Sequence, residues 1–552
     1  MKAPPPSGLL AAARGIWQQN QDLLRNGGSL IVTTGASAAF GFIYWVVAAR
    51  EFSLDAVGYA AAAISLQMLL GTIGEFGLGT MLIGELPRRR GGGGLTIASI
   101  IASGAGSVIL ALLFPLVVIL FGGHFPEITG SPGRLAVFTV GVALVAMMVV
   151  FDDATLGLMR GGVQMSRNLA MAVIKLALLP IAAVVLHDAF GVGIVLTWVV
   201  GTVLSIPVAL FMLKRGNSRI FHRPDWKQLR QLSKLAMAHN WLNLAIATPP
   251  RIIPVLVTVF VSPGANAVFY DAWMLVSFLY MVPQCLSIVL FAIASAAPDV
   301  IAEKLRFVLR LSLYIGIPGM LALALLSHWV LEIFGANYAR TGTIPLLLLI
   351  LCYIPGLFKA VYIAVCRAQH RVGRAAVVLA IGGLCEAGAA IIGGKADGLI
   401  GVCVGYLIVQ LIEGMVTGPT VVRAATIRRR AATEAVAALQ ATTAQQILES
   451  THLDHQRKGL ASLVALASAS VSGVDAATEA WATASPHTIP AEYRRSGRAG
   501  GDVFLAGQLR AGQADEDDYP ADDYYLRNQR AGIDALLGMA APLPSDAESP
   551  RP

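Results

Sequence analysis

VVAAREFSLDAVGYAAAAISLQMLLGTIGEFGLGTMLIGELPRRR, residues 46–90, holds the end of one apolar run, a short polar turn, and a second apolar run over 57–83 that stops at Arg88, Arg89 and Arg90. A helix needs about 20 mostly apolar residues to cross a bilayer, and short Arg-rich loops mark the cytoplasmic side of such crossings. The stretch therefore reads as a membrane hairpin with its second exit on the cytoplasmic side. Working outward, comparable runs lie at 29–49, 57–83, 95–121, 135–158, 168–187 and 190–213, then at 235–261, 267–295, 307–334, 343–365, 375–393 and 398–422.

Twelve crossings place alternate loops on the same side, which the basic residues test. With a cytoplasmic N-terminus, the inside loops carry eighteen Lys and Arg residues, from Arg88 through the cluster at 214–234 to Arg374. The outside loops carry four: Arg50, Arg134, Arg340 and Lys395. A missed or invented crossing would scramble that alternation. The expected fold is all-α and polytopic, with both termini cytoplasmic.

The halves resemble each other. AVGYAAA at 56–62 matches AVFYDAW at 267–273, and RGGVQMSR at 160–167 matches RAQHRVGR at 367–374, at offsets of 211 and 207. Six crossings per half make the repeat parallel, so two six-helix lobes are related about the membrane normal. The chain then divides into a cytoplasmic segment (1–28), an N-lobe (29–213), a connector (214–234), a C-lobe (235–423), a cytoplasmic helical tail (424–484) and an acidic tail (485–552). The last contains DEDDYPADDYY and has a composition expected to be disordered.

Composition agrees: of 552 residues 56% are hydrophobic and 13% charged, and the mean hydropathy is +0.67. A soluble core cannot use so much apolar sequence. The net charge of +8 sits in short clusters between apolar runs rather than on a face, so no nucleic-acid partner is expected. Cys285, Cys352, Cys366, Cys385 and Cys403 lack CxxC spacing, which favours neither disulfides nor a metal site. No apolar leader with a cleavage site precedes Ser29, so no signal peptide is expected. No hydrolase, kinase or metalloprotease motif occurs, and neither enzymatic activity nor a cofactor is expected.

Residues 46–86, with SPGANAVFYDAW at 262–273 and the Arg-containing loops at 160–167 and 367–374, resemble the multidrug/oligosaccharidyl-lipid/polysaccharide exporter superfamily, and within it the polysaccharide flippases. The resemblance spans about residues 26–425. It implies a two-lobed transporter of the bacterial inner membrane that flips an undecaprenyl-diphosphate-linked oligosaccharide for polysaccharide biosynthesis. Its expected partners are that lipid-linked sugar, membrane lipid, and polysaccharide-assembly proteins meeting the cytoplasmic tail. Lipid II or multidrug export within the superfamily are alternatives. A major-facilitator transporter would carry Asp in the loop that here reads ELPRRRGGGG, and a membrane sugar polymerase or ligase would need more than the outside loop GGHFPEITGSPGR.

Ionisable residues inside crossings are costly and mark pathways or partners. Arg251, beside Pro249 and Pro250 where the helical ladder should break, is the leading substrate-binding candidate, because a guanidinium can grip a diphosphate through paired hydrogen bonds. Pairing with a carboxylate is its competing role. Glu75 and Lys175 are further substrate-binding candidates, although Lys175 lies near enough to the cytoplasmic end to reach the interface instead. Asp152 and Lys359 are repeat-equivalent at the offset of 207. They are expected to form an inter-lobe gate, helped by Asp153, unless each is satisfied inside its own lobe. Glu386 and Glu413 fit an inter-helix hydrogen bond or a transport role.

Overall fold

The computed structural model describes residues 21–449 except 89–91, 121–124, 159, 187–189, 216–222, 297–300 and 370. The first twenty residues and the tail beyond 449, with its acidic run, lie outside the described residues. All regular elements among those described are helices. The N-lobe comprises α1 (Gln21–Glu51), α2 (Leu54–Gly74), α3 (Leu78–Glu85), α4 (Gly93–Leu120), α5 (Pro126–Thr129), α6 (Pro132–Gly157), α7 (Gly161–Val185) and α8 (Val192–Arg215). The C-lobe comprises α9 (Trp226–Phe260), α10 (Pro263–Ala296), α11 (Ile301–Leu325), α12 (Ser327–Glu332), α13 (Ala336–Leu351), α14 (Tyr353–Ala368) and α15 (Val372–Glu449). Residues 427–449 of α15 do not belong to the compact unit that holds the crossings.

Among the described residues nine helices are long and apolar enough to cross a membrane, or ten crossings if α13 and α14, bent by 43°, form one. The long helix α15, one of the nine, holds two segments, because Asp397 and Gly398 leave helical geometry. Gly393 packs on Gly401, and Gly405 on Ala389, so the segments on either side run antiparallel as a hairpin. Adding α1, whose residues 31–48 carry no charge, brings the described crossings to twelve. Helix starts follow local chemistry. The Ser53 hydroxyl accepts the Ala56 N–H at 3.3 Å, and Asp225 accepts that of Gln228 at 2.9 Å, each satisfying an orphan donor of a first turn. Ile109, Leu112, Leu113 and Leu116 form an exposed apolar stripe on α4 that only lipid would cover without cost.

Packing divides the molecule by depth. At the end away from the Arg-rich loops, here the far end, both lobes share one core, in which Tyr44, Ala60 and Phe138 join Ile253, Val268 and Leu346. At the basic end two clusters form, and α9 enters both. One joins Leu286, Leu305, Leu357 and Val421 of the C-lobe; the other joins Leu82, Leu95 and Val150 with Leu229 and Ala236 of α9. The far-end seam is tight: Gly58 faces the Pro263 backbone, and the Asn266 amide donates to the Gly58 carbonyl at 2.8 Å. Nearby, Arg50 of α1 donates through Nε to the Ile333 carbonyl at 2.8 Å and through Nη2 to that of Glu332 at 3.2 Å, tying the N-lobe to the end of α12.

Two expectations are corrected. The second crossing is not one helix: Phe76 (φ 53°) and Gly77 (φ 73°) break it between α2 and α3. The seventh is not broken at its prolines: α9 runs helically through Pro249, Pro250 and Pro254. Proline removes the N–H from the ladder without forcing the chain out of helical φ. At this point the Arg251 Nη1 donates to the Ala247 carbonyl at 3.0 Å.

Candidate functional site

A cavity of about 460 Å³ opens among the C-lobe helices. One wall is a stripe of α10, where Trp273, Ser277, Tyr280 and Gln284 recur at the spacing of a single helical face. A second is α14, which presents Gly356, Lys359, Ile363 and Arg367 at the same periodicity. Pro249 and Pro250 of α9 and Glu386, Tyr406 and Gln410 of α15 complete it. Gly356 is required here, because a Cβ at that position would overlap the Tyr280 ring.

The polar centre follows from the α15 hairpin. Its antiparallel register sets Glu386 beside Gln410 and Glu413 over Gly382, where any side chain would collide with the carboxylate. Lys359 reaches between them: Nζ lies 2.8 Å from Glu386 Oε1 and 2.6 Å from Glu413 Oε2. The Gln410 amide donates to Glu386 Oε1 at 2.9 Å and to the Tyr406 hydroxyl at 2.6 Å. Two carboxylates against one ammonium leave the cluster formally one negative charge in excess. Glu386 Oε2 and Gln410 Oε1 are buried without a hydrogen-bond partner, which is expensive for polar atoms.

The residues singled out by sequence fall into three groups, and none of the three substrate-binding candidates lines this cavity. Glu75, at the break after α2, accepts the Gly79 N–H at 3.2 Å, and the Asp153 carboxylate also abuts Gly79. Arg251 lies within electrostatic reach of Glu75, so this second charged cluster joins α9 to the N-lobe. Lys175 does not reach the interface. It is 7% exposed, with Nζ 3.6 Å from the Trp198 ring centre and 4.7 Å from that of Tyr44, a cation–π seat in place of a carboxylate.

The expected Asp152–Lys359 gate pair is not formed. Asp152 is held by Arg167 of its own lobe, with Nε to Oδ1 at 2.9 Å and a second bond from Nη2 to Oδ2, while Lys359 is held by Glu386 and Glu413 of its own lobe. Repeat equivalence fixes depth, but each lobe supplies a nearer counter-charge. Trp273, Tyr280, Tyr406 and Gln410 were missed, although the stripe at 273, 277, 280 and 284 and the pair at 406 and 410 were visible as one-face spacing. Among the described residues no cluster of His, Cys, Asp and Glu could hold a metal ion.

The architecture is a helical membrane bundle with charge clusters buried within its crossings. The fold matches an inward-facing multidrug resistance MATE family transporter of the MOP superfamily (TM-score 0.54, 16% identity, covering 71% of this chain and 95% of that one). It also matches the lipid II flippase MurJ in an inward closed conformation (TM-score 0.55, 16% identity, 71% and 87% covered). Residues 23–298, half of the chain, match the family described as polysaccharide biosynthesis protein, and the chain belongs to that family. No significant sequence match was found among curated proteins. The protein is thus a multi-pass membrane protein of that family, with the fold of the two solved structures.

Proposed function

We propose that the protein flips an oligosaccharide linked to an undecaprenyl-diphosphate type lipid across the bacterial inner membrane by alternating access, with both termini cytoplasmic. The observation that carries this reading is the packing: the lobes share one core at the far end, whereas at the basic end they pack in different clusters, with α9 entering both, an arrangement able to rock about a central site. Family membership supplies the polysaccharide context. Positive residues concentrated at one end support its cytoplasmic orientation.

In this reading Arg251 receives the diphosphate. Its guanidinium is engaged by a single backbone carbonyl and by attraction to Glu75, and a lipid diphosphate offers the bidentate partner that Glu75 does not provide. Arg251→Ala should slow transport about tenfold or more, from the roughly 1.5 kcal/mol that a hydrogen bond to a charged group contributes. Arg251→Lys should also impair it, since the fork is lost while charge remains. The check is flipping of the lipid-linked oligosaccharide in proteoliposomes containing the purified protein. Wild-type flipping by Arg251→Ala at normal abundance rejects the assignment.

A further inference from the structure

We propose that the C-lobe cavity is the subsite for the sugar portion of the cargo, an inference that rests on the flippase reading and names where the glycan lies. The cavity is elongated. Along α10 its lining runs from Trp273 to Phe291, about 27 Å at 1.5 Å per residue. Aromatic rings stand at both ends and in the middle, at Trp273, Tyr280 and Phe291. Sugar rings present C–H faces that pack on such rings and hydroxyls around their rims.

The polar wall matches the rims. Ser287 Oγ, Glu386 Oε2 and Gln410 Oε1 are buried in the lining with no hydrogen-bond partner, and their side chains belong to residues 6%, 0% and 4% exposed. Glu386 and Gln410 stand side by side and Ser287 apart from them, so the unpaired atoms mark two places in the wall that take donors. A chain of sugars supplies them along its length, whereas an acyl chain offers none and a single ion satisfies one place only. Lys359 is fixed by its two carboxylates and so presents an ordered polar face to the cavity. The cavity volume of about 460 Å³ lies within the range of small-molecule sites, and its mix of aromatic walls with few fixed polar groups is their usual chemistry. Arg367 at the last turn of α14 marks the basic-end mouth, through which cargo would enter from the cytoplasm.

The test compares two lipids on the same carrier in proteoliposomes of the full-length protein. One is the lipid-linked oligosaccharide extracted from producing cells; the other is undecaprenyl-diphosphate N-acetylglucosamine, a single sugar. The wild type should flip the oligosaccharide at least tenfold faster. Trp273→Ala and Gln410→Leu should each bring that ratio close to one, and Trp273→Phe, which keeps a ring, should retain most of it. Gln410→Leu removes the unpaired carbonyl while keeping bulk, so it carries the test where Trp273→Ala fails to fold. An unchanged ratio in both variants, or a wild type that flips both lipids alike, overturns the inference and leaves the flippase reading standing. A wild type that flips neither lipid overturns both.

Discussion

At the scale of residues, the Asp152–Arg167 pair shows how the membrane interior sets the worth of a charge. Both side chains are buried, and Arg167 also donates to Asn168 Oδ1 at 2.8 Å. Removing one member strands the other, a loss of about 3–5 kcal/mol. Asp152→Asn should therefore lower the thermal midpoint of the solubilised protein sharply, and Asp152→Asn with Arg167→Gln should recover much of it. A double variant as unstable as the single would refute the pairing. Exchanging charge between Asp152 and Lys359 should give no such recovery. The candidate site was half legible for a definite reason: charges stand out in apolar runs, and counting residues gives their depth. The face each one occupies was hidden, because a crossing that is apolar all round carries no amphipathic signal to fix its rotation. Hence Lys359, Glu386 and Glu413 were noticed but not joined, and Arg167 was not named as the own-lobe partner of Asp152.

At the scale of elements, the hairpin in α15 depends on one glycine. Gly398 sits at φ 57° and ψ −135°, a conformation that side chains resist, and holding another residue there costs on the order of 1–3 kcal/mol. Gly398→Val should lower the melting midpoint and loosen the register that sets Glu386 beside Gln410. Gly388→Ala, where an added methyl meets nothing within 4 Å, is the control and should melt like wild type. Equal melting of the two variants would show that the turn tolerates side chains. The same crossings show what the apolar pattern conceals. Hydropathy reads straight through 57–83, yet Glu75, Phe76 and Gly77 interrupt it; it flagged a break at Pro249 and Pro250, where the helix continues. Length and apolarity report burial in lipid, whereas a break depends on φ and on where carbonyls find donors.

At the scale of the whole molecule, the all-α architecture of many crossings was legible, because alternating basic loops count crossings independently of hydropathy. The shared far-end core was not, since residues facing the other lobe and residues facing lipid are equally apolar. A Cβ at Gly264 would lie 2.9 Å from Asp55 Oδ1, so the positions are close enough for an engineered link. Oxidised Asp55→Cys with Gly264→Cys should stop transport, and a reductant should restore it; undiminished flipping by the cross-linked protein would refute rocking at this seam. The Arg50 contact beside it has a further implication. Its acceptors are main-chain oxygens of Glu332 and Ile333, atoms that every amino acid supplies. Substitution in that part of the C-lobe leaves such acceptors in place. The catch therefore has a mutational target of a single codon, that of Arg50.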